Sequence, residues 1–147
     1  MTEEGSSPET PLIDWEMFAK TRAELGQGFV RILGYFREDG VKSVAAIETA
    51  MREQNTHALV LPAHTLKTEA YQFGADPLGD ASEEIEFAAR RCIESHRFPD
   101  ELVADVVELR RLFEATSALM EREMNPLMQR RGATVGKPGA NQSFGRL

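Results

Sequence analysis

Leu59, Ala63, Leu66, Ala70 and Phe73 recur at spacings of four, three, four and three residues. That rhythm keeps one stripe of an α-helix apolar. It does not suit a strand, whose side chains alternate between faces. The stripe therefore predicts a helix closed by Gly74-Ala75. His64 follows Ala63 and is rotated about 100° off the buried stripe. Lys67 and Thr68 lie three and four residues on, and Tyr71 seven, along the same flank. The pattern thus places a histidine in solvent beside a positive charge.

Similar periodicity accounts for most of the remaining chain. Asp14 is the expected N-cap of a short first helix, with Trp15, Phe18 and Arg22 on one side. A longer helix is expected from about Ala23 to Glu38, with Leu25, Phe29, Ile32 or Leu33, and Phe36 inward. Gly26, Gly28 and Gly34 weaken it by up to about 1 kcal/mol each relative to Ala. Asp39-Gly40 reads as a stop, and Val41 to Glu53 as the next helix, with Val44, Ile47 and Met51 inward. Gln54-Asn55-Thr56 breaks the pattern, and Thr56 is the expected cap of the helix that holds His64. Pro62 falls either inside that helix or at its first turn. Asp76 as N-cap and Pro77 at the first helical position begin another helix to about Glu94, burying Leu78, Ala81, Ile85, Ala88 and Cys92. Phe98-Pro99-Asp100 makes the last turn. The final helix is expected from about Glu101 to Met124, with Leu102, Val106, Leu109, Phe113, and Leu119 or Met120 inside. No segment reads as a strand. Long helices with short connectors imply an all-α chain: an up-and-down antiparallel four-helix bundle with a short N-terminal helix.

At 147 residues the chain is long enough for one domain with its own core. The expected organisation is a disordered N-terminus over 1–12, the bundle over 13–126 and a flexible basic tail over 127–147. After Glu123 there is no acidic residue, whereas Arg130, Arg131, Lys137 and Arg146 are basic. The overall net charge of −7 argues against general nucleic-acid binding. No apolar run approaches the roughly 20 residues needed to cross a bilayer, so no membrane partner is expected. Met1 to Thr10 lacks an apolar core of the kind a secretory signal carries. Cys92 is the single cysteine, which leaves no intrachain disulfide and fits a cytoplasmic setting.

Several chemistries are excluded by spacing. A carboxylate-bridged di-metal centre needs Glu-x-x-His on two helices, and none of His57, His64 and His96 has a Glu three residues before it. His57 and His64 share a face but lie about 10.5 Å apart along a helix axis, too far for one ion. No metal site is expected. No phosphate-cradling Gly-rich loop and no nucleophile elbow occurs. His57 and His96 read as surface residues. What remains is an exposed imidazole with an ammonium group one turn away. Neutral imidazole is a competent nucleophile near neutral pH. A phosphoryl group accepted there would carry up to about two negative charges, which Lys67 could meet as a mobile point charge.

The stretch Ala63-His64-Thr65-Leu66-Lys67, followed by Phe73-Gly74-Ala75 and Leu78, resembles the signature of histidine-containing phosphotransfer domains. The resemblance covers about Ile13 to Met124. It implies a phosphocarrier that is not itself an enzyme, with His64 as phosphoacceptor and Lys67 stabilising the phosphoryl charge. The donor would be the receiver-domain aspartate of a hybrid histidine kinase, and the recipient the aspartate of a response regulator. No intrinsic cofactor is implied, Mg²⁺ arriving with the receiver, and a monomer is expected. Thr68, Tyr71 and Arg90 are expected to flank the site. Ile13 and Met17 would form an apolar docking patch if the first helix folds over it, and Gly74 would be structural. If the turn centres on Ala75, Glu86 lies level with His64, and Arg90 lies one turn beyond. Arg90 then either helps neutralise a phosphoryl group or pairs with Glu86.

One departure stands out. Many members of that family carry Gly or Ser just after the lysine, where this chain has Thr68 and then Glu69. Bulk at Thr68 is expected to narrow the approach to His64, and Glu69 to oppose an incoming phosphoryl group. Two alternatives stay open on sequence: a helical adaptor without phosphotransfer chemistry, and a dimeric histidine-kinase-like phosphotransfer domain.

Overall fold

Every regular element among the described residues, 11–125, is helical in the computed structural model. In order these are α1 (Trp15–Leu25), a 3₁₀ turn (Gly26–Gly28), α2 (Phe29–Arg52), α3 (His57–Gln72), α4 (Asp76–Glu94), a second 3₁₀ turn (Asp100–Leu102) and α5 (Val103–Met124). The expectations for 1–10 and for the basic tail over 127–147 lie outside the described residues. The chain divides into two compact units, Met1–Thr116 and Ser117–Leu147. The first contains the candidate site. The described part of the second is helical to Met124.

Local chemistry sets the helix ends. The Asp14 carboxylate accepts from the backbone N–H of Glu16 at 3.1 Å and of Met17 at 3.2 Å, which caps α1. Gly26 ends α1 at φ +55°, and its N–H donates to the Arg22 carbonyl. The first break therefore falls at Gly26, so Ala23 to Leu25 belong to α1 rather than to the following helix. Asp39-Gly40 is not a stop. Helix α2 runs straight through it, because Gly40 keeps helical geometry and is buried against the Phe113 ring of α5. Packing outweighs the local turn preference there. Thr56 takes the N-cap position of α3 as expected, but its side chain makes no capping bond; Asn55 Oδ1 instead accepts from the Ala58 N–H at 3.1 Å. Asp76 is the first helical residue of α4, and Ala75 takes the N-cap position. Pro62 lies inside α3. With no N–H, it leaves the Ala58 carbonyl without its intrahelical donor, two residues before His64.

The apolar core is threaded by ring contacts. Phe18 of α1 meets Phe29 of α2 edge-on at 5.3 Å, Phe29 meets Phe73 at 5.9 Å, and Phe73 meets Phe36 at 5.3 Å. Phe36 continues to Phe113 of α5 at 6.4 Å. Each such pair contributes roughly 0.5–1.5 kcal/mol beyond area burial. Phe73, just past the end of α3, joins the two halves of this series and so anchors the end of the helix that carries His64. The Thr21 hydroxyl adds a 2.7 Å bond to the Gln72 carbonyl at the same place. Gly74 then turns the chain at φ +80° and leaves room for the Asp14 carbonyl and the Met17 side chain; a Cβ at position 74 would lie 2.6 Å from that carbonyl. This is the structural role expected of Gly74. At the far side, Arg110 of α5 grips Glu48 of α2 through two bonds of 2.7 and 2.9 Å.

The two helical glycines of α2 predict opposite responses to alanine. A Cβ at Gly34 meets nothing within 4 Å, so Gly34→Ala should raise stability by about 0.5–1 kcal/mol through helix propensity. A Cβ at Gly40 runs into the buried Phe113 ring, so Gly40→Ala should lower stability by about 1–2 kcal/mol despite the same propensity gain. Urea unfolding of the two variants checks both signs.

Candidate functional site

The apolar stripe lies inward. Leu59, Ala63, Leu66 and Ala70 are fully buried, which fixes the rotation of α3 about its axis. His64 consequently sits at the surface, its side chain 49 % exposed. Thr68 donates its hydroxyl to the His64 backbone carbonyl at 3.1 Å, so its side chain folds back on α3.

Facing this surface is a carboxylate that water barely reaches. Glu86 of α4 has a side chain only 3 % exposed. His64 Nδ1 stands 3.0 Å from its Oε2. Arg90 reaches the same oxygen with Nε at 2.9 Å and Nη2 at 2.8 Å. Lys67 Nζ lies 2.8 Å from Oε1, an ion pair outside ideal hydrogen-bond directions. Burial is the largest single influence on Glu86 and pushes its pKa up. The close contacts from Lys67, Arg90 and His64, with the lysine's charge, together outweigh it and hold the carboxyl below its ordinary value. Glu86 is therefore ionised at neutral pH.

An ionised carboxylate can only accept hydrogen bonds. The hydrogen between His64 and Glu86 must then reside on Nδ1. A neutral His64 so held carries its lone pair on Nε2. Glu86 thus selects the tautomer and orients the ring, in the way an acidic partner orients a catalytic imidazole. The sequence placed Glu86 level with His64 and offered its pairing with Arg90, which the structure contains. It gave no sign that the carboxylate is buried, and so missed that one group binds all three neighbours.

Other expected site residues fall differently. Ile13 is 2 % exposed and belongs to the core, so it does not form a docking patch; it is drawn inward because the Asp14 N–H bonds the Gly74 carbonyl at 2.8 Å. Met17 is half-buried and packs toward Gly74. Tyr71 turns into the α3–α4 seam rather than outward: its ring lies against Gly79 and its hydroxyl donates to Asp80 at 2.6 Å. Burial, then the bond to Asp80, raise the phenol above its ordinary pKa, so it stays protonated. Glu69 lies about 140° around α3 from His64. That angle turns it away from His64; its carboxyl pKa is pushed up first by burial and then by Asp39 of α2. Arg90 keeps a side chain 54 % exposed. Two apolar residues near the histidine went unremarked in the sequence: Leu61, 71 % exposed three residues before it, and Phe87, 45 % exposed next to Glu86. Their off-stripe positions were the available signal. Among the described residues no group of His, Cys, Asp and Glu is arranged to hold a metal ion. None of the described helices is long and apolar enough to cross a membrane.

No curated protein sequence matches the chain significantly. Its fold is similar to that in the crystal structure of histidine-containing phosphotransfer protein B (HptB) from Pseudomonas aeruginosa PAO1. That similarity has a TM-score of 0.67 and 23 % identity, covering 78 % of this chain and 96 % of the other. The Hpt domain family model matches residues 31–123, a span that holds the histidine, its lysine and the buried carboxylate, and the chain belongs to that family.

Proposed function

We propose that this Hpt protein accepts a phosphoryl group on Nε2 of His64 from a receiver-domain aspartate and passes it to the aspartate of a response regulator. The observation that carries the reading is the Nδ1 contact to the buried Glu86 carboxylate, which frees Nε2 as the nucleophile at the surface. In the forward step the Nε2 lone pair attacks phosphorus. The bond from phosphorus to the aspartate oxygen breaks, and the aspartate leaves as carboxylate. The return step reverses these events. Lys67 and Arg90, both already drawn to Glu86, supply positive charge to the phosphoryl oxygens. The receiver brings Mg²⁺ and the remaining charge neutralisation, so this chain serves as carrier rather than enzyme. The same reading takes the helices as an up-and-down antiparallel bundle and the protein as a cytoplasmic monomer.

His64→Ala should abolish acid-labile, base-stable labelling from a phosphorylated receiver while leaving the helical circular dichroism unchanged. Labelling retained in that variant would rule the mechanism out and favour an adaptor role.

Glu86 also ties stability to pH. Its folded pKa lies below the ordinary 4.5, so the stability it contributes is complete above that value. That contribution is lost as pH falls through the lowered folded pKa. Glu86→Gln should cost about 1–3 kcal/mol at neutral pH. It should also flatten the acid limb of a melting-temperature profile relative to the wild type.

A further inference from the structure

Phe87 is a large apolar side chain left 45 % exposed on α4, directly after Glu86. Its ring is not idle at the surface. The Lys67 ammonium stands over it, 5.2 Å from the ring centroid. That is inside the roughly 6 Å range in which a cation is drawn to an aromatic face. The same nitrogen is 2.8 Å from Glu86 Oε1, and the lysine side chain is only 16 % exposed. A lysine on the rim of an open site would ordinarily sample many rotamers on its flexible four-carbon stem. Here two restraints of different kinds hold it, a carboxylate and a ring.

The two restraints respond differently to phosphorylation. A phosphoryl group on His64 offers anionic oxygens that compete with Glu86 for the N–H donors of Lys67. The ring presents no lone pair to be displaced. It attracts the ammonium through its quadrupole, whichever anion the N–H groups face. Because Phe87 follows Glu86 by one residue, its side chain is turned about 100° around α4 from the carboxylate. The lysine can thus swing between the carboxylate and a phosphoryl group while remaining over the ring.

We propose that Phe87 is a positioning residue for phosphoryl acceptance: its aromatic face keeps the Lys67 ammonium beside His64, so that positive charge is in place when the phosphoryl group arrives. The proposal rests on His64 being the phosphoacceptor. Leucine at position 87 would keep apolar bulk but lose the quadrupole, and tyrosine or tryptophan would retain it.

The test uses phosphoramidate, a donor too small to need a docking surface. His64 Nε2 attacks its phosphorus, the P–N bond breaks and ammonia leaves. The wild type should label at His64, and Phe87→Leu should label about two- to fivefold more slowly. Phe87→Tyr and Phe87→Trp should restore the rate. In a Lys67→Met background, where the ammonium held over the ring is gone and Arg90 is left untouched, Phe87→Leu should have no further effect. Equal slowing in both backgrounds, or a wild-type rate for Phe87→Leu, would overturn the proposal. No labelling of wild-type His64 would overturn the phosphoacceptor reading and this proposal with it. Labelling at His64 that ignores residue 87 would overturn the proposal alone. Should Phe87→Leu fold poorly, proton NMR of the wild type and Phe87→Tyr decides. The Lys67 ε-methylene resonances should be shifted upfield by the ring in both, and their absence from that region would refute the contact.

Discussion

A carboxylate removed from water must be compensated, and the site is organised around that requirement. Glu86 sits behind the surface histidine with almost no solvent contact. Left alone, it would take up a proton or destabilise the fold. Three groups from two helices remove the difficulty: His64 and Lys67 from α3, and Arg90 from α4 itself. One ion pair would satisfy one oxygen. Three partners also fix the relative placement of α3 and α4 at this level, since each side chain has a limited reach. The orientation of the imidazole is therefore a consequence of electrostatic compensation in the seam between helices.

That compensation works only if α3 is held at the right rotation. The buried stripe from Leu59 to Ala70 sets it, and the ring series through Phe73 anchors its end. Gly74 lets the chain fold back closely over α1, and Gly79 lets the Tyr71 ring lie against α4. At Gly74 and Gly79 a methyl group would separate backbones or rings that now touch. The helix carrying His64 is thus fixed along the seam by its apolar stripe, by Tyr71 bonding Asp80, and by Lys67 and His64 converging on Glu86. The proposed transfer depends on this rigidity, because in-line attack requires Nε2 to be presented in one direction.

The stripe around His64 was legible because a single helix determines which of its own residues face inward. The 4-3-4-3 spacing is a property of α3, and its burial follows without knowledge of any neighbour. Features that depend on a second element were less legible. Asp39-Gly40 carries the local signature of a turn, yet Phe113, some seventy residues away, makes Gly40 a packing position. Glu86 and Arg90 have the spacing of an ordinary surface pair, and only the neighbouring helix turns that pair into a buried hub. Ile13 lies just outside the first helix, where periodicity gives no face, and the backbone bond between Asp14 and Gly74 decides its burial. Lys67 over Phe87 joins residues twenty positions apart on different helices, beyond what spacing within either can indicate.

Exposure divides the chemistry between this chain and its partner. Glu86 is buried, but His64 and Arg90 are about half exposed. Water around a phosphoryl group on Nε2 would screen it, and a solvent-facing ion pair is worth only about 0–1 kcal/mol. Lys67 is better shielded, yet its charge is already shared with Glu86. Together with the negative Glu86, the two cations leave a local surplus of about one positive charge against a group that carries up to about two negative charges. In the proposed relay, such a site would hold a phosphoryl group without binding it so deeply that transfer onward is lost. In that relay the large charge neutralisation needed at the transition state would be supplied by the receiver. On that reading, a shallow, half-solvated imidazole with modest electrostatic support would keep exchange between two partners reversible.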